Sequence, residues 1–269
     1  MTTSNLIKGL DVSAIQSVID WKSVADAGYQ FVICRCGVGN SNKDTFYDKN
    51  IAGAKAAGLK VMAYNFAYPL PPLASQPLRD PVKQAQLHAG WTNGELASLD
   101  LEWPTVQDWA KWGCSASQIV QWTVSYLEAY EAATGIRPIV YTYPSFASAI
   151  KLPADFAQKY KLWIASYTTA PVSVAPWGAD WTLWQSSGGS QKLPNGVAVD
   201  IDYAKDLSLW DAVVPAAPPS PQPDVAPPVD NTPPPPPVVV VPPPPAPVPV
   251  PNVPSVWQTI MGVLGKLFK

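Results

Sequence analysis

The chain has 269 residues, 18 Lys and Arg against 20 Asp and Glu, and a formal net charge of −2. That balance leaves no basic footprint, so nucleic acid is not an expected partner. No window approaches the ~20 consecutive apolar residues of a membrane-spanning helix.

Further exclusions follow from single residue types. The N-terminus, MTTSNLIKGLDVS, lacks the basic, then apolar, then small-residue order of a secretory signal, and none is expected. Three cysteines are an odd number and do not describe a disulfide scaffold. Cys34 and Cys36, two apart on one strand, would hold their Cα atoms roughly 6.6 Å apart, near the upper limit for a disulfide. The one histidine, His88 in QAQLHAGW, has no Cys or His beside it. A Ser-His-Asp triad or a multi-histidine zinc site needs such company. Any chemistry here therefore falls to carboxylates, with no metal or cofactor expected.

Residues 1–214 read as one globular unit. Its first β-type run is IKGLDVS (7–13), followed by FVICRC (31–36). A helix is predicted over 44–58, with Asp44 as N-cap and Gly58 as its stop. KVMAYNF (60–66) is the third strand, and a weaker helical stretch covers 79–94. ASLDLE (97–102) follows. A long helix is predicted over 115–135, with Ile119, Trp122, Tyr126, Tyr130 and Ala133 on one face and Gly135 closing it. PIVYTY (138–143), KLWIAS (161–166), DWTLWQ (180–185) and VAVDID (197–202) complete eight strands.

Near-continuous apolar strands alternating with helices indicate a parallel sheet covered by helices. Eight of them predict a (β/α)8-like barrel. Connections after residue 160 are too short for full helices, so the barrel is expected to be incomplete on that side.

Residues 215–254 hold 20 of the 32 prolines. Runs such as PPPPP (233–237) lack N–H donors and have fixed φ, which favours an extended polyproline II linker. Beyond it, SVWQTIMGVLGKLFK (255–269) places Trp257, Ile260, Met261, Leu264, Leu267 and Phe268 on one face of a short amphipathic helix. That face has three candidate partners: a membrane surface, another protein, or the chain's own domain.

The active site of a (β/α)-barrel forms at the C-terminal ends of its strands. Those ends carry Asp11 in GLDVS, Asp100 and Glu102 in SLDLE, and Asp200 and Asp202 in VDIDY. Each acid alone could be a strand-end cap or half of a salt bridge. Together they outnumber the basic residues beside them, which points to a functional cluster. Residues i and i+2 of a strand share a face, and Asp100 and Glu102 are ~6.6 Å apart along it. Paired carboxyls at ~5–5.5 Å or ~6.5–9.5 Å are the two geometries of glycoside hydrolysis, and side-chain lean spans the difference. Clustered acids cannot all ionise cheaply. Glu102, beside Trp103 and Pro104, is expected to stay protonated as general acid, and Asp100 to stay charged. Tyr64, Phe66, Trp103, Tyr141, Tyr167 and Trp184 lie near strand ends and are candidate sugar-stacking rings; Tyr143 is another.

The set GLDVS (9–13), IDW (19–21), SLDLEWP (98–104), YTYPSF (141–146), LWIASY (162–167), LWQSSG (183–188) and VDIDY (199–203) resembles glycoside hydrolase family 25, the Chalaropsis-type lysozymes. The resemblance covers about residues 7–205. It implies a flattened, incomplete barrel and metal-free cleavage of the β-1,4 bond between N-acetylmuramic acid and N-acetylglucosamine in bacterial peptidoglycan. It matches Glu102 to the catalytic acid and Asp100 to a nucleophile or a support for substrate-assisted attack. It places Asp11 and Asp200 along the sugar site. The family's Tyr-His on the third strand is here Tyr64-Asn65, and its terminal D-x-N is here Asp200-Ile201-Asp202, which leaves the role of Asp202 open.

The expectation is a muramidase acting at the bacterial cell wall, as a phage lysin released from the host cytoplasm or a wall enzyme exported by other means. A non-catalytic wall-binding or virion module on the same barrel, and a hydrolase of another glycan, are the competing readings.

Overall fold

The computed structural model describes residues 5–40, 42–71, 76–104 and 106–211. The chain divides into a unit of Met1–Pro221 and a second of Gln222–Lys269. The proline-rich linker and the amphipathic helix predicted over 255–269 lie outside the described residues.

Nine strands form one sheet: β1 (Ile7–Val12), β2 (Phe31–Val38), β3 (Asn42–Lys43), β4 (Lys60–Phe66), β5 (Ala97–Asp100), β6 (Ile139–Thr142), β7 (Leu162–Ala165), β8 (Leu183–Lys192) and β9 (Ala198–Ala204). Pairing runs β1-β2-β4-β5-β6-β7-β8-β9 and returns to β1, so eight strands close a barrel, with β3 attached outside β2. All eight strands predicted from the sequence are present, and the ring itself is complete. What is missing is helix. The segment between β7 and β8 has none among its described residues, and β8 turns directly into β9.

One strand departs from the predicted parallel order. β9 runs antiparallel to both β8 and β1. Only residues 193–197 separate it from β8, with Gly196 at φ 84° in the turn. A parallel connection needs a dozen or more residues, so this one can only be a hairpin. It also explains why β8 extends to Lys192, seven residues beyond the predicted end, through the polar SSGGSQK: β9 supplies the ladder partners.

Helices α1 (Trp21–Asp26), α2 (Tyr47–Ala56), α3 (Pro81–Thr92), α4 (Val106–Trp112), α5 (Ala116–Thr134), α6 (Pro144–Ile150), α7 (Phe156–Lys159) and α8 (Ser208–Asp211) fill the other connections and the end of the barrel segment. α5 matches its prediction. Ser115 and Gln118 form a capping box, and Gly135 ends the helix at φ 70°. α3 starts at Pro81 behind the Asp80 N-cap. α2 begins at Tyr47, not at 44, because Asp44 is otherwise engaged. Its buried carboxylate accepts from Arg35 Nε, Ala14 N and Phe46 N, each at 2.9 Å.

Strand alternation sorts the core into two layers. Leu10, Val32, Ala63, Leu99, Val140, Ile164 and Ile201 face outward against the helices. Phe31, Ile33, Met62, Ile139, Trp163, Leu183 and Ala204 fill the inside. Gly9 makes room for this filling: a Cβ there would lie 2.3 Å from Phe31 Cε2. The inner face changes from apolar to polar along the strands, and the polar end is the mouth.

Candidate active site

The inward positions nearest the mouth carry Asp11 on β1, Arg35 on β2, Tyr64 and Phe66 on β4, and Ser98 and Asp100 on β5. Tyr141 on β6, Gln185 on β8, and Asp200 and Asp202 on β9 complete the ring. Asp200 reaches this end because β9 is reversed. It pairs with Asp11 near the start of β9, not at the C-terminal end from which the sequence reading placed it. β5 ends at Asp100, and Glu102 stands on the chain leaving it, while Leu101 N still donates to Tyr141 O at 2.9 Å.

The structure thus brings together Asp11, Asp100, Glu102, Asp200 and Asp202. Burial is the first cause of every carboxyl shift here. It pushes Asp11 well above its ordinary range, with the Asp202 charge adding and the Gln185 hydrogen bond opposing. It does the same to Asp100, reinforced by Glu102 and Asp11 and opposed by Arg35. Burial and then Asp200 raise Glu102 to about 7. Burial and then Asp11 raise Asp200 to about 8, against a hydrogen bond from Gly189 N. Asp202 is raised to about 8, against hydrogen bonding from Trp163. Burial thus opposes the charge expected on Asp100. Its carboxyl is only 6% exposed, and Oδ1 meets no hydrogen-bond donor among the described residues.

Two polar residues that the motif reading passed over organise the cluster. Gln185 Nε2 donates to Asp11 Oδ2 at 2.6 Å, and its Oε1 accepts from Tyr141 Oη at 3.0 Å and Tyr167 Oη at 2.9 Å. Arg35 pairs with Asp44 at 2.9 Å and is the cation whose charge reaches Asp100. Arg35 is a lone charged residue in an apolar strand, the same signal that marked Asp100, while Gln185 stands where β8 passes from apolar to polar.

The aromatic candidates separate. Tyr141 is buried beneath the mouth, and Tyr167, 52% exposed, stands on its rim. Tyr64 lies edge-on to Trp163 with ring centroids 6.0 Å apart. Phe66 pairs with Asp100 at the top of β4 and is partly exposed. Trp103, the residue after Glu102, stacks on Tyr68 at 4.4 Å, with Arg79 over the far ring at 5.0 Å. Trp184 is not part of the site. It points outward, 2% exposed, packs against Trp181 and Tyr203, and donates Nε1 to Ser166 O at 2.7 Å. Parity decides this: Leu183 and Gln185 take the inner face. Asp202 is also corrected as a sugar contact, because it lies wholly buried below the mouth.

The departure at Asn65 lies outside the site. Its side chain faces the helices, accepting from Cys36 Sγ and bonding Tyr126. Tyr126 Oη in turn meets His88 Nδ1 at 2.6 Å, and His88 Nε2 donates to Gly39 O at 2.7 Å. Among the described residues no group of three or more His, Cys, Asp or Glu is arranged to hold a metal ion.

Chemically, a ring of neutral and charged acids at a partly open mouth can donate a proton and stabilise positive charge. The family model for "Glycosyl hydrolases family 25" matches residues 10–193. An N,O-diacetylmuramidase from Chalaropsis sp is 28% identical over 215 residues, covering 75% of this chain and 99% of that one. Lysozyme M1 from Streptomyces globisporus is 29% identical over 203 residues, covering 74% and 67%. The solved bacterial lysozyme from Streptomyces coelicolor superposes with a TM-score of 0.66 at 25% identity, over 77% of this chain and 96% of that one. The chain belongs to glycosyl hydrolase family 25 and is a glycoside hydrolase of the lysozyme type.

Proposed function

We propose that this enzyme cleaves the β-1,4 bond between N-acetylmuramic acid and N-acetylglucosamine in peptidoglycan, with Glu102 as general acid. The observation that carries the reading is Glu102 itself: a carboxyl at the exit of β5, partly open at the mouth, gathered with Asp11, Asp100 and Asp200 and raised to about 7 by burial. A group titrating near the working pH both holds a proton and releases it readily. Glu102 donates to the glycosidic oxygen as the bond to the anomeric carbon breaks. The positive charge that grows on the sugar lies over Asp100, and a cation there favours the Asp100 carboxylate that burial alone disfavours. Asp100 then serves as nucleophile or supports attack by the substrate's own N-acetyl group. Water completes hydrolysis and returns the proton to Glu102.

The test is Glu102→Gln, which keeps size and hydrogen bonding but removes the transferable proton. Clearing of wall suspensions should fall by about 100- to 10,000-fold with the fold retained. Clearing at the wild-type rate would remove Glu102 from the acid role.

We further propose that the enzyme acts at the bacterial cell wall as a phage lysin does, and that residues 255–269 attach to anionic membrane surfaces. The helical spacing of six large apolar residues, with Lys266 and Lys269 away from them, supports the attachment. Deleting 255–269 should abolish association with anionic vesicles and leave activity on soluble wall fragments unchanged; equal vesicle binding would exclude the attachment.

A further inference from the structure

One buried acid has no place in the proton transfer just described. Asp202 is the innermost of the five, with no exposed surface, and sits opposite Gly9 in the β1–β9 ladder. Its Oδ1 accepts from Trp163 Nε1 at 2.8 Å, while Oδ2 is buried and meets no N–H or hydroxyl donor. Diagonal to Asp202 across this ladder, on the same inward face and two residues along β1 from Gly9, stands another acid, Asp11. Gly9 puts no side chain between them. Asp11 is itself 5% exposed, and its Oδ2 already takes the Gln185 amide.

Two ionised carboxylates offer only acceptors to each other, so both would remain unsatisfied and would repel. One proton between them gives Asp202 Oδ2 its missing partner and leaves a single charge. The remaining donors are accounted for: Trp163 serves Asp202 and Gln185 serves Asp11. The other titratable or charged groups around the pair are Asp200 on β9, Asp100 and Glu102 from β5 and its exit, Arg35 on β2, Tyr64 on β4 and Tyr141 on β6. Arg35 is the one cation in this group, and it is already bound to Asp44.

We propose that Asp11 and Asp202 share a single proton, and that Asp202 is a positioning residue that holds Asp11 against the floor of the sugar site. The upward shift of both carboxyls agrees with this geometry. The proton belongs to the pair, as in other coupled carboxyl dyads. Asparagine at 202 mimics the protonated acid, with its carbonyl toward Trp163 and its amide toward Asp11. It therefore keeps the positioning and abolishes the sharing.

The test is an infrared count of protonated carboxyls at pH 7 in the full chain, for wild type, D202N, D11N and the double variant. Sharing predicts that each single variant loses one protonated-carboxyl band and that the double variant loses no more. No loss in the double variant means that both acids are ionised, a loss there without one in either single variant means a proton that does not need the pair, and two losses mean two independent protons; each of these results overturns the proposal. The count does not depend on the muramidase reading. A second arm does: on soluble wall fragments at pH 6, D202N should keep kcat within about threefold, while D202L should lose at least tenfold with KM little changed. Equal damage from D202N and D202L, with both variants folded by circular dichroism, would make Asp202 a packing residue and overturn the positioning role.

Discussion

Replacing Gln185 with leucine tests whether the inner network is what holds the acids in place. The side chain is 5% exposed and makes three hydrogen bonds: to Asp11, from Tyr141 and from Tyr167. Leucine is close in volume, so the cost is polar. Tyr167 stands on the rim and recovers water in place of its lost acceptor. Tyr141 is 6% exposed and does not, which costs about 1–3 kcal/mol for a buried hydroxyl left unpartnered. Asp11 loses its amide donor at a similar cost, and the added apolar burial offsets part of the total. The net expectation is a destabilisation of about 2–4 kcal/mol, or a fall in Tm of roughly 5–10 °C for a domain of this size. Urea unfolding followed by tryptophan fluorescence measures it. A change below about 0.5 kcal/mol, the level of ordinary surface substitutions, would refute the network as a structural element.

Other perturbations read different parts of the fold. A carboxyl whose pKa is raised on folding keeps its proton where the unfolded chain has lost it, so its contribution falls as pH climbs. For Asp200 that window runs from about 4 in the unfolded chain to about 8. Asp200→Asn should therefore gain on wild type in Tm as pH goes from 5 to 8, and parallel curves would contradict the shift. His88 is the reverse case: burial lowers it to about 3, so wild type loses stability as pH falls below about 6.5. His88→Gln should lose that acid-side slope in thermal melts, while costing about 1–3 kcal/mol at pH 8 through the partners it leaves. Gly9→Ala should cost about 1–3 kcal/mol in urea unfolding by forcing a methyl into the Phe31 ring. Gly90→Ala, in α3 with open space around its Cβ, should gain about 0.5–1 kcal/mol.

Much of this site was legible in sequence because burial makes polar residues conspicuous. In ASLD the leucine faces the helices and the aspartate faces inward, and period two shows this before any coordinates do. The same rule marks Arg35, the one charged residue of an apolar strand, and puts Gln185 on the inner face with Leu183. It would also have excluded Trp184, which is out of phase with Leu183 and Gln185. Strand direction was less accessible. The period of VAVDID is the same whichever way β9 runs, and only the five residues before it, too few for a crossover, carried the information. Asp44 shows a further limit. As a local signal it reads as a helix cap, but its partners Arg35 and Ala14 are remote in sequence, and they draw its carboxylate away from α2.

The central claim is the bond that is cut. Digesting purified peptidoglycan with the wild-type enzyme and identifying the new reducing ends by mass analysis tests it most directly. N-acetylmuramic acid is expected at every new reducing end, with about 100- to 10,000-fold fewer such ends from the Glu102→Gln variant. Reducing ends of N-acetylglucosamine, or solubilised wall without new reducing sugars, would contradict it.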